Sequence, residues 1–127
     1  MDKHRHVILC VDDEENPLVL RKLVLQKAGY EVITANSAET ALQIAASHSI
    51  DLVLSDHLMP GTTGAQLARQ LKTHNPKLPV VLLSGMNEIP PDAGSADLFL
   101  SKVEGPDHMC AEITSVLSSV AAQRSRQ

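Results

Sequence analysis

Five short apolar runs recur along the chain, each of strand length: HVILCV (6–11), EVITA (31–35), DLVLS (51–55), VVLLS (80–84) and DLFLS (97–101). Four of them are almost continuously hydrophobic rather than alternating, which is typical of strands covered on both faces. Segments with helical patterns lie between them. This alternation predicts an α/β protein with a parallel sheet, right-handed crossovers and helices on both faces.

Helical periodicity appears between the first three runs. The first helix is predicted over 16–28 and ends at Gly29, a residue that favours helix termination. A second helix is predicted to run to about Ser47, starting from a capping box formed by Asn36 and Glu39. The apolar stripe expected to face the core in the first helix comprises Leu20, Leu23, Val24 and Ala28.

Two more helices are predicted in the second half of the chain. One begins after Gly61 and ends before Pro76, with Leu67, Ala68 and Leu71 on one face. The last spans roughly 107–122, with Pro106 in its first turn. Its apolar stripe is Met109, Ile113, Val116, Leu117 and Val120.

The interval 85–96, GMNEIPPDAGSA, departs from the alternation. A crossover helix is expected there, but Pro90, Pro91 and Gly94 disrupt helical structure. The fourth helix is therefore predicted to be short or irregular.

Length and composition favour one globular domain over 1–127, with a folded core at about 6–122 and a tail at 123–127. The two aromatic residues, Tyr30 and Phe99, are too few for a base-stacking surface, and the net charge of −4 argues against direct nucleic-acid binding. No stretch is long enough to insert into a membrane.

Cys10 and Cys110 are the two cysteines, and each lies in an apolar run. A disulfide-stabilised fold would need more, so both are predicted to be reduced, buried thiols. This interpretation favours a cytoplasmic protein.

Polar residues follow the predicted strands at one rim of the sheet: Asp12 and Asp13, Asp56, Ser84 and Lys102. Ligands of open parallel sheets gather at this rim. Three carboxylates there repel one another and favour a divalent cation, and oxygen ligands point to Mg²⁺, with Mn²⁺ as an alternative. A carboxylate oxygen of Asp56 could attack phosphorus, while a hydroxyl and an ammonium suit the charge on a transferred phosphoryl group.

These residues belong to four patterns: ILCVDDEEN, DHLMPGTTG, VVLLSG and ADLFLSK. Each pattern alone is weak, but together and in this order they resemble the receiver domain of two-component response regulators over essentially the whole chain. The resemblance implies a flavodoxin-like sheet of order 2-1-3-4-5. It also implies that Asp56 accepts a phosphoryl group from a histidine kinase or a histidine phosphotransfer protein.

The resemblance further assigns the metal ligands. Asp13, Asp56 and the backbone carbonyl of Leu58 would bind Mg²⁺ directly, and Asp12 would act mainly through water. The residue-based alternative is that Asp12 and Asp13 only cap the first helix.

A switch is implied at the other end of the site. Lys102 would pair with the phosphoryl group, and Ser84 would move to bond it. Phe99 would then pack inward, as an aromatic switch that lacks a hydroxyl group.

Three neighbours of the acceptor are expected to tune the reaction. His57 is interpreted as a partly exposed residue that affects access to the site. Leu58 and Met86 are both apolar, and we expect them to hinder the attacking water and lengthen the phosphorylated lifetime.

Two departures from the family pattern stand near Lys102. Val103 occupies a position where the family usually has proline, and a cis bond there would cost about 3 kcal/mol, so a trans bond or a locally altered loop is expected. Only 18 positions separate Ser84 from Lys102, fewer than usual, and the shortage falls on 85–96. Output is therefore expected to use a different or remodelled face.

Three classes of function remain open on the sequence. The first is a phosphorylation-controlled signalling module acting on a downstream protein target, alone or as part of a longer protein, as a monomer or a dimer. The second is a phosphatase or phosphotransferase, disfavoured because Leu58 stands where a second acid is needed, so that only slow self-dephosphorylation is expected. The third is a pseudo-receiver that binds proteins without phosphorylation. Nucleotide binding lacks a glycine-rich loop after the first strand.

Overall fold

The computed structural model describes residues 5–57, 59–85 and 96–125. The strands are β1 (Val7–Val11), β2 (Glu31–Ala35), β3 (Leu52–Asp56), β4 (Val80–Ser84) and β5 (Leu98–Ser101). The helices are α1 (Glu15–Lys27), α2 (Ala38–Ser47), α3 (Gly64–His74) and α4 (Gly105–Ser125), and a 3-10 turn spans Lys102–Glu104.

All five strands are parallel and form one sheet in the order β2-β1-β3-β4-β5. Successive side chains of a strand point to opposite faces of the sheet, so the strand residues contribute to two aliphatic cores, one on each face. Leu18, Leu25 and Ile113 of α1 and α4 pack on one face, while Ala41 and Leu67 of α2 and α3 pack on the other. The predicted doubly wound fold is confirmed.

The orientation of α1 differs from the prediction. Leu20 and Leu23 are 63% and 57% exposed, and the buried residues are Leu18 and Leu25. Positions seven apart lie about two helical turns apart on the same face, and Arg21 lies between them on that face. Of the predicted stripe, only Val24 packs against the core, because packing against the sheet buries the side of the helix that carries Leu18 and Leu25.

The helix ends show further differences. The N-cap of α2 is Ser37, whose side chain accepts the Thr40 N–H, so the capping box of Asn36 and Glu39 was wrong by one residue. A capping box that was not predicted starts α3, between Thr63 and Gln66.

The final helix is longer than predicted. It begins at Gly105, keeps Pro106 in its first turn and extends through Ser125, into the segment expected to be a tail. The short fourth helix expected within 85–96 falls on residues 86–95, which lie outside the described residues.

Two aspartates organise the opposite rim of the sheet. The Val7 N–H donates to Asp51 Oδ2, and the Val80 N–H donates to Asp97 Oδ2, both at 2.7 Å. Each aspartate precedes one strand and accepts the first N–H group of the strand beside it: Asp51 connects β3 to β1, and Asp97 connects β5 to β4. Asp51 and Asp97, which precede β3 and β5, therefore have a structural role.

Both cysteines are free thiols. Cys10 is fully buried, and burial raises its pKa to about 12. Cys110 is only half-buried, so the prediction of a buried thiol was right for Cys10 and wrong for Cys110. Within the described ranges, no helix has the length and apolar character needed to cross a bilayer.

Candidate functional site

Three carboxylates converge at the carboxyl rim of the sheet. Asp12 and Asp13 follow β1, and Asp56 is the last residue of the adjacent β3. One oxygen from each of the three lies within 4.8 Å of the others. The sequence predicted this grouping because parallel neighbours end at the same rim.

Asp56 is nearly enclosed, with 5% of its surface exposed. Its Oδ1 lies 2.5 Å from Nζ of Lys102, which directly follows β5. Burial raises the pKa of Asp56 above its usual value, the nearby Lys102 lowers it, and the charge of Asp12 adds to the increase. Asp56 is thus a buried carboxylate paired with the half-exposed ammonium of Lys102.

Asp12 is 1% exposed and uses both of its oxygens. Its Oδ1 accepts the backbone N–H of Glu14 at 2.9 Å, at the start of α1. Its Oδ2 accepts a hydrogen bond from Arg21 Nη1 at 2.6 Å. The alternative that Asp12 supports the helix start is therefore correct in part, because the same side chain also belongs to the acidic cluster.

Sequence reasoning missed Arg21. The signal was available, since Arg21 interrupts the apolar segment LVLRKLVL and lies midway between Leu18 and Leu25. A stripe through those two leucines would have placed Arg21 on the inner face of α1. The choice of the wrong stripe hid it.

Asp13 is exposed and completes the cluster from the solvent side. Its neighbour Asp12 is held by two donors, whereas Asp13 faces water. Among the three carboxylates, it is the one placed to exchange solvent for a metal ion most readily.

Ser84 ends β4, is 4% exposed and lies opposite Ser101 in the strand register. Phe99 lies on the α2–α3 face of β5 and is half-buried. The structure thus brings Ser84 to the predicted rim and places Phe99 in the core layer beneath it.

His57 corrects a prediction. It is 7% exposed rather than partly exposed, and its ring lies 5.8 Å from the Phe99 ring at an interplanar angle of 59°. Strand alternation explains this, because His57 continues the side of β3 that faces α2 and α3, opposite to Asp56. His57 contacts the aromatic residue predicted to be a switch instead of lining the entrance.

Gly64 sets the turn after Asp56. Its N–H donates to the His57 carbonyl at 2.7 Å. A Cβ at this position would lie 2.7 Å from the Asp56 carbonyl oxygen and 2.9 Å from His57 Cα. Only glycine permits so close an approach of α3 to the end of β3.

Two predicted site residues, Leu58 and Met86, lie outside the described residues. Val103, which stands where the family usually has proline, follows a trans peptide bond as expected, since no cis peptide bond occurs in the described ranges. The chain enters a 3-10 turn at Lys102 and still brings its ammonium to Asp56.

Sheet order, two helical layers and a carboxylate–lysine pocket define the class of this protein as a receiver-type α/β domain. A sequence model of the response regulator receiver domain matches residues 8–114. The chain belongs to the response regulator receiver domain family.

Several curated relatives are similar in sequence. The transcriptional regulatory protein PhoP of Bacillus subtilis is 32% identical, across 93% of this chain and 52% of that protein. Response regulator GtcR of Aneurinibacillus migulanus is 37% identical, across 87% of this chain and 47% of that protein. The chain spans about half the length of these relatives.

A solved structure is also similar. Response regulator TrrA of Thermotoga maritima, in complex with Mg²⁺-BeF, is 31% identical with a TM-score of 0.83. The match covers 87% of this chain and 98% of that chain. A receiver domain of Methanospirillum hungatei, described as CheY-like, has a TM-score of 0.87 at 23% identity, and supports the fold alone.

Proposed function

We propose that this domain accepts a phosphoryl group on Asp56 from a histidine kinase or a histidine phosphotransfer protein, in a Mg²⁺-dependent reaction. The observation that carries the proposal is the convergence of three carboxylates within 4.8 Å and of Lys102 Nζ at 2.5 Å from Asp56. Asp51 and Asp97 at the opposite rim each accept a backbone N–H group, whereas Asp56 lies against the Lys102 ammonium.

In the proposed reaction an Asp56 carboxylate oxygen attacks the phosphorus of a phosphohistidine. A new O–P bond forms, the P–N bond breaks, and the imidazole leaves with its electron pair. Lys102 releases Asp56 and pairs with the phosphoryl oxygens, whose charge it offsets. Ser84, at the end of β4, supplies a hydroxyl group near the same position.

The acidic cluster fits a magnesium ion. Its oxygens come from three carboxylates, the donor set that hard divalent cations prefer. Asp13 and Asp56 would hold the ion directly and Asp12 through water, with the Leu58 carbonyl as a ligand inferred from sequence; Mn²⁺ would suit the same oxygens. When bound, the ion neutralises charge on the cluster and on the phosphoryl oxygens.

Phosphorylation is proposed to signal through Ser84 and Phe99. Movement of Ser84 toward the phosphoryl group would leave space that the Phe99 ring, together with His57, can occupy. The change would be read by a downstream protein target or an attached domain in the cytoplasm. The domain would return to its resting state by slow self-dephosphorylation, which Leu58 and Met86 are proposed to hinder.

The first prediction tests the acceptor. Incubation with acetyl phosphate and Mg²⁺ should add one phosphoryl group, detected by intact-protein mass spectrometry. We expect no labelling in Asp56→Asn, because an amide oxygen is too weak a nucleophile, and none when a chelator removes the metal.

Asp51→Asn is the matched control, since Asp51 precedes the same strand at the opposite rim and should leave labelling intact. Labelling that persists in Asp56→Asn would contradict the proposal. A wild-type protein that takes up no phosphoryl group would instead indicate a pseudo-receiver.

A further inference from the structure

A second cation, Arg21, contacts the acidic cluster and has no role in the proposed phosphoryl transfer. Arg21 projects from the inner face of α1, and its side chain is only 13% exposed. Its Nη1 donates to Asp12 Oδ2 at 2.6 Å, a short charge-assisted contact. Asp12 in turn is one of the three residues whose oxygens lie within 4.8 Å.

We propose that Arg21 is a built-in counter-ion that competes with the divalent metal for Asp12. The inference rests on the proposed function, because it concerns the metal site of that reaction. In the metal-free protein, Arg21 and Lys102 supply two positive charges to the three carboxylates.

Both oxygens of Asp12 are already engaged, one by the Glu14 N–H and the other by Arg21. A carboxylate neutralised by a guanidinium is a poorer partner for a divalent cation or its water, and the two positive charges repel each other. Binding of a metal ion or its water at Asp12 therefore favours a movement of Arg21 away from this contact.

The structure provides space for that movement. A cavity of about 230 Å³ lies beside Arg21, bordered by Leu20, Val24, Lys102 and Met109. Both cations of the site border this cavity. A guanidinium displaced from Asp12 can enter this cavity by a side-chain rotation, with its aliphatic stem lying on the apolar surface of α1.

The consequence is a weakened metal affinity in the resting protein. Because removal of one nearby positive charge strengthens binding of a divalent cation, we expect Arg21→Met to bind Mg²⁺ roughly tenfold more tightly than wild type. Arg21→Lys keeps the charge and should stay close to wild type.

Titration of ¹⁵N-labelled protein with MgCl₂, followed by amide chemical shifts, measures the affinity and shows in the same spectra that each variant is folded. Lys22→Met is the matched control, since it removes the same charge from the next position of α1, and no ion pair of Lys22 occurs in the described ranges. An unchanged or weaker affinity in Arg21→Met overturns the inference, as does an equal gain in Lys22→Met.

A measurement on the wild-type protein avoids any dependence on the variants. The Arg21 Nε–Hε resonance should shift along the same Mg²⁺ titration curve as the Asp13 amide. A resonance that does not respond while the Asp13 amide does overturns the inference.

Labelling with acetyl phosphate separates this inference from the proposed function. Labelled wild type with no gain in Arg21→Met overturns the inference alone. Tight Mg²⁺ binding by Arg21→Met without labelling of either protein supports the inference and counts against the proposed function. No Mg²⁺ binding by wild type or by Arg21→Met overturns both.

Discussion

The site contains two carboxylate–cation pairs with different construction. Arg21 and Asp12 are 13% and 1% exposed, whereas Lys102 and Asp56 are 35% and 7% exposed. Arg21 starts from the packed face of a helix, while Lys102 stands at the end of a strand on a flexible stem. From this difference we expect Lys102 to follow the phosphoryl group in the proposed reaction, and Arg21 to set the charge of the resting site.

The largest expected effect lies on the lysine pair. Lys102→Met should slow labelling of Asp56 by acetyl phosphate about a hundredfold, because a charge that stabilises the transferring phosphoryl group is lost. Arg21→Met should have the opposite effect at limiting Mg²⁺ and label faster. Intact-mass time courses measure both. A similar loss of rate in the two variants would remove the distinction between the pairs.

For the free energy of unfolding, the larger loss is expected in the arginine pair rather than in the lysine pair. Without metal, Arg21→Met should lose about 3 kcal/mol of unfolding free energy, because Asp12 is left as an unpaired buried charge. Lys102→Met should lose less, since the Lys102 ammonium is more exposed and Asp56, whose pKa burial already raises, can take up a proton more easily than an ordinary carboxylate. Urea unfolding in the presence of chelator measures both changes.

The double variant with Asp12→Asn tests the origin of the loss. Asp12→Asn should recover most of the stability that Arg21→Met removes, because the buried charge is no longer there. A loss that persists in the double variant would mean that Arg21 acts through packing alone.

The smallest expected effect concerns pH. Burial raises the pKa of Asp56 despite Lys102, so in the window between the ordinary and the raised pKa the native state binds more protons than the unfolded chain. Stability therefore falls as the pH rises through that window. Near neutral pH, with chelator, Asp56→Asn should be more stable than wild type, and its advantage should shrink as the pH falls toward about 4.

Urea unfolding of both proteins across that range measures the difference. An advantage of Asp56→Asn that does not change with pH would show that burial of the charge is not its cause. A less stable Asp56→Asn at neutral pH would show that the Lys102 pair outweighs burial.

Strand positions and the rim residues were predictable from local patterns. Each apolar run became a strand within one residue of its predicted bounds at either end, and the polar residues that follow these strands lie at the predicted rim. Strand formation depends on a short continuous apolar segment, which the chain shows directly. The proximity of Asp12, Asp13 and Asp56 then follows from parallel pairing of β1 with β3.

Rotation of a helix about its axis was not predictable in the same way. In α1 two apolar stripes compete, and the choice between Leu20 and Leu18 depends on which fits the sheet and α4. His57 was misjudged for a related reason, since its burial depends on the Phe99 ring from a strand two positions away in the sheet.

The sequence alone was sufficient for the fold class, the rim and the polar residues that directly follow the strands, because these depend on patterns within single segments. The tertiary structure decided which charges pair. Arg21 reaches Asp12 only when α1 packs with its Leu18–Leu25 face on the sheet, and an ion pair across elements carries no periodic signal along the chain. Pairing of buried charges is a property of the packed molecule, since burial gives each contact its strength.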